Sequence, residues 1–445
     1  MSSLLPGCRP ALCALNASQS GPDNSAGFVR LIEANFETGN KARALQLAKE
    51  GIERDSRGSL AAQIGLLLLQ NSCFTEAAAA FEKALALKPA SADLTSKLAY
   101  SYLGANQPER AIKLLKQFEG RQSSWQASFL LGQAYELTGR PREAIPFFRD
   151  SLRLNPGEAS VHYHLGRVLV SSTERKVQIE GSQEMRQAIN LSPHEAEYYI
   201  SLGIWLMDEG DLRSTVALLT EGLENINPSD DLYLLLGLAQ YWQYGLGTAV
   251  PTLKKLIELN PHSGLAHSLL GACYFSDGDY RNALSCYRRA TQEDPKSGLC
   301  FYGVASSLEK LGRLAEAIPF AQKSIDLDPN SSRSHYLLGK LDAKLDRNDE
   351  AIRELEAVVR LDPNSESAYY LLARTYMRMN NPDKARQWGQ KLQELTSAKR
   401  QAERGAIGRS EVPDSEASDL SNRSEIWKNL RESLPSAKPL PPIRP

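Results

Sequence analysis

The stretch that decides the fold runs from His267 to Pro295 and reads HSLLGACYFSDGDYRNALSCYRRATQEDP. Leu270 lies four residues before Tyr274, and Gly271 lies three residues before it. Residues at these separations share one face of an α-helix. The first half of the stretch therefore predicts a helix with one apolar face, on which a glycine allows close approach of a neighbour.

The second half of the stretch predicts a second helix that packs against the first. Gly278 is typical of the turn between them, and the small residue Ala283 faces the first helix four residues before Tyr287. Pro295 ends the pattern, because proline lacks a backbone donor and clashes with the preceding helical turn. The whole stretch predicts one helix-turn-helix unit.

This unit recurs along the chain with a period close to 34 residues. One unit cannot bury its apolar face alone, so such units must stack. The prolines that match Pro295 follow one another at gaps of 37, 35, 33, 34, 34 and 34 residues, at Pro156, Pro193, Pro228, Pro261, Pro295, Pro329 and Pro363. The matching alanines are Ala44, Ala77, Ala111, Ala144, Ala249, Ala283, Ala317, Ala351 and Ala385.

The pattern of aromatic, Leu, Gly, Tyr, Ala, aromatic and Pro at these spacings resembles the tetratricopeptide repeat. The resemblance implies an all-α fold, a right-handed α-solenoid of about eleven stacked helix-turn-helix repeats. We expect the array to cover residues 25–398. The resemblance also implies that one face of the first helices lines a concave groove.

Two features depart from the regular pattern. Between Ser171 and Glu184 the small alanine is missing and the unit gains three residues, while Thr215 replaces alanine in the next unit. Gly181 indicates a break in the helix, and either a longer turn or a hinge with its own contact role fits the stretch. Three further prolines follow the small alanine of a second helix, and we expect them in its first turn: Pro146, Pro251 and Pro319.

The segments outside the array have a different composition. We expect residues 1–24 to be a disordered leader or a remnant of a signal segment, 399–421 to be a flexible linker, and 422–445 to be a short helix with a proline-rich tail. Ile426, Leu430 and Leu434 form an apolar stripe beside Trp427, which predicts that this helix docks on the array or on a partner. A cytoplasmic location is favoured, and export or a periplasmic location follows if the start codon is misassigned.

Composition and motifs argue against several classes of function. The chain has 52 basic and 53 acidic residues, which is not the strong positive charge of a dedicated nucleic-acid binder. No apolar run approaches the roughly 18 residues of a transmembrane helix. Walker, dinucleotide, nucleophile-elbow and His-Glu-x-x-His motifs are missing, so we expect no catalytic residue, metal or cofactor. His162, His267 and His335 occupy the aromatic slot of the repeat, which favours packing.

The remaining candidate is a binding surface on the first helices of the C-terminal repeats. Three slots in each first helix recur every 34 residues with aromatic and basic side chains, which suits an acidic extended peptide or a chain terminus, and solvated helix faces are the alternative. The candidate groove residues are Tyr302, Ser306, Lys310, Arg333, Tyr336, Lys340, Lys344, Tyr370, Arg374 and Arg378.

The sequence leaves three functions open. The leading hypothesis is a non-enzymatic scaffold that binds a protein or peptide segment, with no small-molecule substrate. The second is a subunit that presents substrates to a separately encoded enzyme or a secretion complex. The third, weaker hypothesis is single-stranded nucleic-acid binding, since stacking and phosphate contacts use the same residue types.

Overall fold

The computed structural model describes residues 25–89, 91–118, 124–226 and 229–405, together with Trp427 and Arg431. Within these ranges every regular element is a helix, and 22 helices follow one another from Ser25 to Gly405. The predicted fold class, an all-α helical repeat fold, is confirmed. The predicted leader, residues 1–24, and the predicted helix at 422–445, apart from Trp427 and Arg431, lie outside the described residues. Of the predicted flexible linker, 399–421, residues 399–405 instead continue the last helix, and the rest lie outside the described residues.

The helices alternate between the first and the second helix of a repeat. The first helices are α1 (Ser25–Glu37), α3 (Ser59–Gln70), α5 (Ala92–Gly104), α7 (Trp125–Leu137), α9 (Ala159–Val170), α11 (Ala196–Asp208), α13 (Asp230–Tyr244), α15 (Gly264–Ser276), α17 (Gly298–Lys310), α19 (Ser332–Lys344) and α21 (Glu366–Arg378). The second helices are α2 (Lys41–Arg54), α4 (Phe74–Leu87), α6 (Pro108–Phe118), α8 (Pro141–Leu154), α10 (Arg175–Leu191), α12 (Leu212–Asn225), α14 (Leu246–Leu259), α16 (Tyr280–Glu293), α18 (Leu314–Leu327), α20 (Asn348–Leu361) and α22 (Pro382–Gly405).

The chain forms two compact units, which divide between Leu202 and Gly203. We call the described residues up to Leu202 unit 1 and those from Gly203 onward unit 2. The core of unit 1 contains fully buried aromatic side chains such as Phe81 and Phe148. In unit 2 the corresponding clusters are built around Tyr287, Leu308, Leu355 and other side chains of the repeat pattern.

Serine caps start several first helices two residues after the repeat proline. Ser263, Ser297 and Ser331 have extended backbones, and each side-chain oxygen accepts a hydrogen bond from the backbone N–H three residues on. This bond satisfies one of the donors that a helix start leaves open. The proline ends one repeat, and the serine fixes where the next begins.

The histidines of the aromatic slot tie each first helix to the proline before it. The Nε2 atoms of His162, His267 and His335 lie 3.0 to 3.1 Å from the carbonyl oxygens of Pro156, Pro261 and Pro329, respectively. A carbonyl only accepts, so these ring nitrogens donate. His162 also contacts Glu184 through Nδ1 at 2.5 Å. Burial alone would lower the pKa of His162, but these two bonds outweigh it and raise the pKa.

The three prolines of the second helices do not lie in the first turn, so that expectation was wrong. Pro146, Pro251 and Pro319 each form the sixth residue of α8, α14 and α18, respectively. Each therefore removes one hydrogen bond from the second helical turn. The helices start earlier because the small residues that precede these prolines, Ala144, Ala249 and Ala317, are fully buried against the first helix, and this packing overrides the local cost of proline.

The irregular repeat of unit 1 contains a longer second helix without a break at Gly181, which corrects the expected break. Helix α10 has 17 residues, and Gly181 is buried within it. A Cβ atom on Gly181 would lie 2.7 Å from the carbonyl oxygen of Gly166 on α9. Gly181 therefore fills the place of the small alanine, and the extra residues lengthen the helix. Thr215 is buried in α12 and bonds to the carbonyl oxygen of Asp211.

We predict that Gly181→Ala destabilises the protein, although alanine is the better helix former. The propensity gain is up to about 1 kcal/mol, while forcing a Cβ against the α9 backbone costs about 1 to 3 kcal/mol. The matched control is Gly389→Ala in α22, because nothing lies within 4 Å of a Cβ atom built there. Thermal unfolding followed by circular dichroism should show a lower midpoint for the first variant only. Equal or higher midpoints for both would contradict the close contact.

Candidate functional site

The predicted binding surface lies on α17, α19 and α21, three first helices of unit 2. We call it the basic face. Apart from Arg333, its residues come from three equivalent slots of consecutive repeats: a tyrosine slot, a slot with serine or a basic residue, and a basic slot. They are Tyr302, Ser306, Lys310, Arg333, Tyr336, Lys340, Lys344, Tyr370, Arg374 and Arg378.

The three tyrosines differ in how much surface they offer. Tyr302 is buried, at 7% exposure, and the guanidinium carbon of Arg333 lies 5.4 Å from its ring centre. Tyr336 is half-buried against the last core cluster. Tyr370 is 54% exposed. The column therefore presents one open aromatic ring, at its C-terminal end.

A buried glutamate that sequence reasoning missed holds two of the lysines. Glu309, at the end of α17, binds the ammonium groups of Lys344 and Lys340, the latter at 3.4 Å. Burial alone would raise the pKa of Glu309, but the hydrogen bond from Lys344 and the nearby lysine charges outweigh burial and lower it. One carboxylate cannot neutralise two ammonium groups, so the cluster keeps a positive charge.

Three further cations of the basic face, Arg378, Lys310 and Arg374, differ in accessibility. Arg378 donates to the carbonyl oxygen of Ala343 at 2.6 Å and lies 3.4 Å from Asp346. Lys310 and Arg374 are exposed. Within the described residues, no carboxylate lies at ion-pair distance from Arg374. These side chains can therefore meet an external anion.

The first helices of the basic face carry a net positive charge. Together α17, α19 and α21 carry six basic and three acidic residues. Among the second helices packed against them, α18 and α20 carry three basic and six acidic residues, whereas α22, the partner of α21, carries six basic and three acidic residues. The positive charge therefore lies on the three first helices and continues onto α22.

A cavity of about 350 Å³ adjoins the basic face near the starts of the first helices. Tyr302 and Arg333 line it together with Ser268, Asp294 and Asp328. The two aspartates accept hydrogen bonds from backbone N–H groups in their own turns. The cavity can accommodate a polar side chain next to the face.

In unit 1 the corresponding slots form an internal polar network. Gln133 lies 3.1 Å from Nε2 of His164, whose Nδ1 lies 2.7 Å from Glu136, and Arg167 approaches Glu136 at 3.5 Å. With the Gln133 amide donating to Nε2, the imidazole donates through Nδ1. His164 and Arg167 lower the pKa of Glu136 although burial alone would raise it. The network bridges α7 and α9.

Metal-ligand clusters and reactive thiols were two candidate kinds of site in the described part of the chain. Its residues contain no cluster of three or more His, Cys, Asp or Glu side chains placed to hold a metal ion. Burial raises the pKa of the Cys273 thiol to about 12 and that of Cys286 to about 11, which disfavours the reactive thiolate. Among the described helices, none is long and apolar enough to cross a membrane.

Family comparisons agree with the repeat structure. The tetratricopeptide repeat family matches residues 68–120, 96–159, 308–369 and 342–401. The family of anaphase-promoting complex, cyclosome, subunit 3 matches residues 242–324. Together these segments cover more than half of the chain. The chain belongs to the tetratricopeptide repeat family.

Individual relatives are distant. Protein FlbA of Caulobacter vibrioides is 25% identical over 215 residues, which are 48% of this chain and 35% of that protein. The chain thus spans about a third of the length of this curated relative. Yeast Tom70 is 14% identical, with a TM-score of 0.41 over 86% of this chain and 95% of that one. PilF of Pseudomonas aeruginosa is 19% identical, with a TM-score of 0.42 over 50% and 99% of the two chains.

One acidic residue next to the basic face is placed where its charge is unfavourable. Asp342 stands in the tyrosine slot of α19 and is 4% exposed. Burial raises its pKa to about 6, since Arg347 at 3.9 Å compensates little and Glu350 and Glu354 add to the rise. The folded protein therefore holds this proton more tightly than the unfolded chain, and stability falls as pH rises from the ordinary pKa of 3.8 to about 6.

We predict that Asp342→Asn stabilises unit 2 at neutral pH by about 1 kcal/mol, after allowance for solvent screening. Asparagine keeps the shape of the side chain without the buried charge. The gain should shrink as pH falls below 6 and be small below 3.8, where the wild-type carboxyl is protonated. Thermal midpoints of both proteins across this range test it, and a gain that does not depend on pH would contradict the charge argument.

Proposed function

We propose that this protein is a non-enzymatic interaction scaffold that binds an extended acidic segment of a partner protein on the basic face. The observation that supports it most directly is the excess of six basic over three acidic residues on α17, α19 and α21, with a lysine or arginine at the same slot of all three helices in Lys310, Lys344 and Arg378. A cation that recurs in one slot lines up positive charge along the first helices. An acidic partner gains from this field on approach and on binding.

The repeat period sets how a partner would lie on the face. Lys310, Lys344 and Arg378 occupy one slot of consecutive first helices, and Lys340 and Arg374 occupy another. Packed helices lie about 8 to 10 Å apart, and an extended chain advances about 3.3 Å per residue. About three partner residues therefore correspond to one repeat, and a segment of about nine residues meets all three helices. Such a segment needs an acidic residue in every third position or so.

Glu309 occupies the place of a partner carboxylate. It binds Lys340 and Lys344 from within the chain, and both lysines keep exposed surface. An incoming acidic group can share these two ammonium groups because the cluster has surplus positive charge. Tyr370, the open ring of the column, adds rigid contact area next to Arg374.

Two alternatives differ from this proposal in the identity of the partner. A substrate-presenting subunit would use the same face, and its partner would be an enzyme or a secretion complex. Single-stranded nucleic acid needs a row of open aromatic rings for stacking, whereas Tyr302 is buried and Tyr336 half-buried. A pull-down with the full chain, followed by mass spectrometry, identifies the partner class.

We predict that Arg374→Glu combined with Arg378→Glu weakens binding of a labelled oligoglutamate peptide of about nine residues. Two attractive charges become repulsive, so we expect a loss of about ten-fold or more at low salt, and the wild-type affinity should fall as salt is added. Fluorescence polarisation measures both. The matched control is Arg353→Glu with Arg386→Glu, the same charge change on second helices, where both side chains are more than 70% exposed.

Circular dichroism checks that both double variants keep their helix content. Equal peptide affinity of the two double variants would show that the net charge of the protein alone governs peptide binding. Unchanged affinity of the Arg374 and Arg378 variant relative to the wild type would place the binding surface elsewhere. Either result overturns the proposal.

We further predict that Glu309→Gln tightens binding of the same peptide by about two- to five-fold, since both partly exposed lysines are released from ion pairs that are worth up to about 1 kcal/mol. Stability should fall slightly, because the buried site loses its charge-assisted bonds. The control is Glu316→Gln on α18, whose carboxylate pairs with Arg313. Polarisation titrations of both variants test the idea. Equal tightening by both variants would contradict a specific role for Glu309.

A further inference from the structure

A second surface on the first helices of unit 2 lies toward its N-terminal end. The small residues of α11 and α13 are Gly203 and Gly237. Five residues after them lie Asp208 and Trp242, respectively. The same count gives Lys310, Lys344 and Arg378 on the basic face. One column of the first helices thus changes from acidic to aromatic to basic along unit 2. We call Asp208 and Trp242 the acidic-aromatic site.

Two residues near the C-terminus of the chain contact this site. The indole Nε1 of Trp427 donates to Oδ1 of Asp208 at 2.7 Å, and a guanidinium nitrogen of Arg431 lies 3.1 Å from Oδ2. The rings of Trp427 and Trp242 meet edge to face, with centroids 6.3 Å apart and an interplanar angle of 73°. Three different interactions therefore converge on one small area.

The spacing of the two contacting residues fits the site. Trp427 and Arg431 both have helical backbone conformation and are four residues apart, a spacing at which two side chains of a helix are neighbours on one face. Both oxygens of the Asp208 carboxylate are used: Oδ1 accepts from the indole at 2.7 Å and from the Arg431 guanidinium at 3.3 Å, and Oδ2 lies 3.1 Å from the same guanidinium nitrogen. The Asp208 side chain is 32% exposed, so these charge-assisted bonds are partly shielded from water.

From these contacts we infer that the acidic-aromatic site is a docking site for the chain's own C-terminal segment, bound in cis through Trp427 and Arg431. The chemistry it recognises is an indole and a guanidinium on one face of a helical turn, the opposite of the acidic ligand proposed for the basic face. The inference stands independently of that proposal. It rests on observed contacts within unit 2 and not on the peptide-binding role of Lys310, Lys344 or Arg378.

Tethering explains how a site of two residues can stay occupied. The 21 residues between Gly405 and Trp427 link the segment to the last helix. A covalent tether of this length converts binding into an intramolecular step with an effective concentration on the order of 1 mM. A contact that is weak between separate molecules is therefore largely formed in cis. A free peptide of the same sequence must compete with it.

The first experiment observes the indole of Trp427 in the full chain. The chain has five tryptophans, and the variant Trp427→Phe assigns its indole N–H resonance in a nitrogen-labelled sample. We expect Asp208→Asn to shift this resonance, because the acceptor loses its charge. The control is Asp277→Asn, an exposed residue just after α15 that does not contact Trp427. An unchanged resonance in Asp208→Asn, or an equal shift in the control, overturns the inference.

The same resonance distinguishes binding in cis from binding to a second copy. Contact in cis does not depend on protein concentration, so dilution by about ten-fold should leave the shift in place. A shift that moves toward the Asp208→Asn position on dilution assigns the occupant to another molecule and overturns the cis arrangement.

The second experiment uses a labelled peptide with the sequence of residues 422–437. It should bind the full chain carrying Trp427→Ala and Arg431→Ala, in which the site is vacated. Its affinity for the wild type should be lower by about ten-fold or more, because the tethered segment competes. Adding Asp208→Asn to the double variant should abolish binding, while adding Asp277→Asn should not. Equal affinity for the wild type and the double variant, or binding that survives Asp208→Asn, overturns the inference. Circular dichroism confirms that each variant keeps its helix content.

Discussion

The close contact of two helices at a small residue is the constraint on which the rest of this structure depends. In the irregular repeat, Gly181 and Gly166 bring the backbones of α10 and α9 together so tightly that a methyl group has no room. The contact recurs once per repeat, with alanine in the second helix of most copies. It fixes the register of each first helix against its partner. Residues at a given distance from the small residue therefore return to the same side of every first helix.

Because of this register, residues in the same slot of successive repeats line up as a column of side chains. The residue types in a column decide whether it bonds within the chain or forms an accessible surface. In unit 1, Gln133 and Arg167 occupy first-helix slots and bind other side chains of the chain. In unit 2, Lys344 and Arg378 occupy a slot that leaves part of each side chain in water. The same scaffold thus serves internal bonding in one place and an accessible charged surface in another. Local charge, and not backbone shape, separates the two.

The column also explains how one set of first helices can carry ligands of opposite charge. Asp208 and Trp242 take an indole and a guanidinium, while the equivalent positions three to five repeats after Asp208 carry lysine and arginine. An acidic segment on the basic face and the basic C-terminal segment on the acidic-aromatic site would occupy different first helices of unit 2. Like-charge repulsion disfavours exchange of the two ligands.

The sequence alone determined the repeat, the helix pairs and the slots, because a 34-residue period with small residues at fixed places admits one stacking pattern. It also indicated which slots are basic, and the binding role of these slots stays a prediction. Only the tertiary structure showed that Gly181 replaces the missing alanine, that Tyr302 is buried and that Glu309 holds Lys340 and Lys344. It alone placed Trp427 against Asp208, 219 residues away. Periodicity reports which face of a helix a residue occupies, whereas burial and pairing depend on side chains of other helices, whose positions no local pattern encodes.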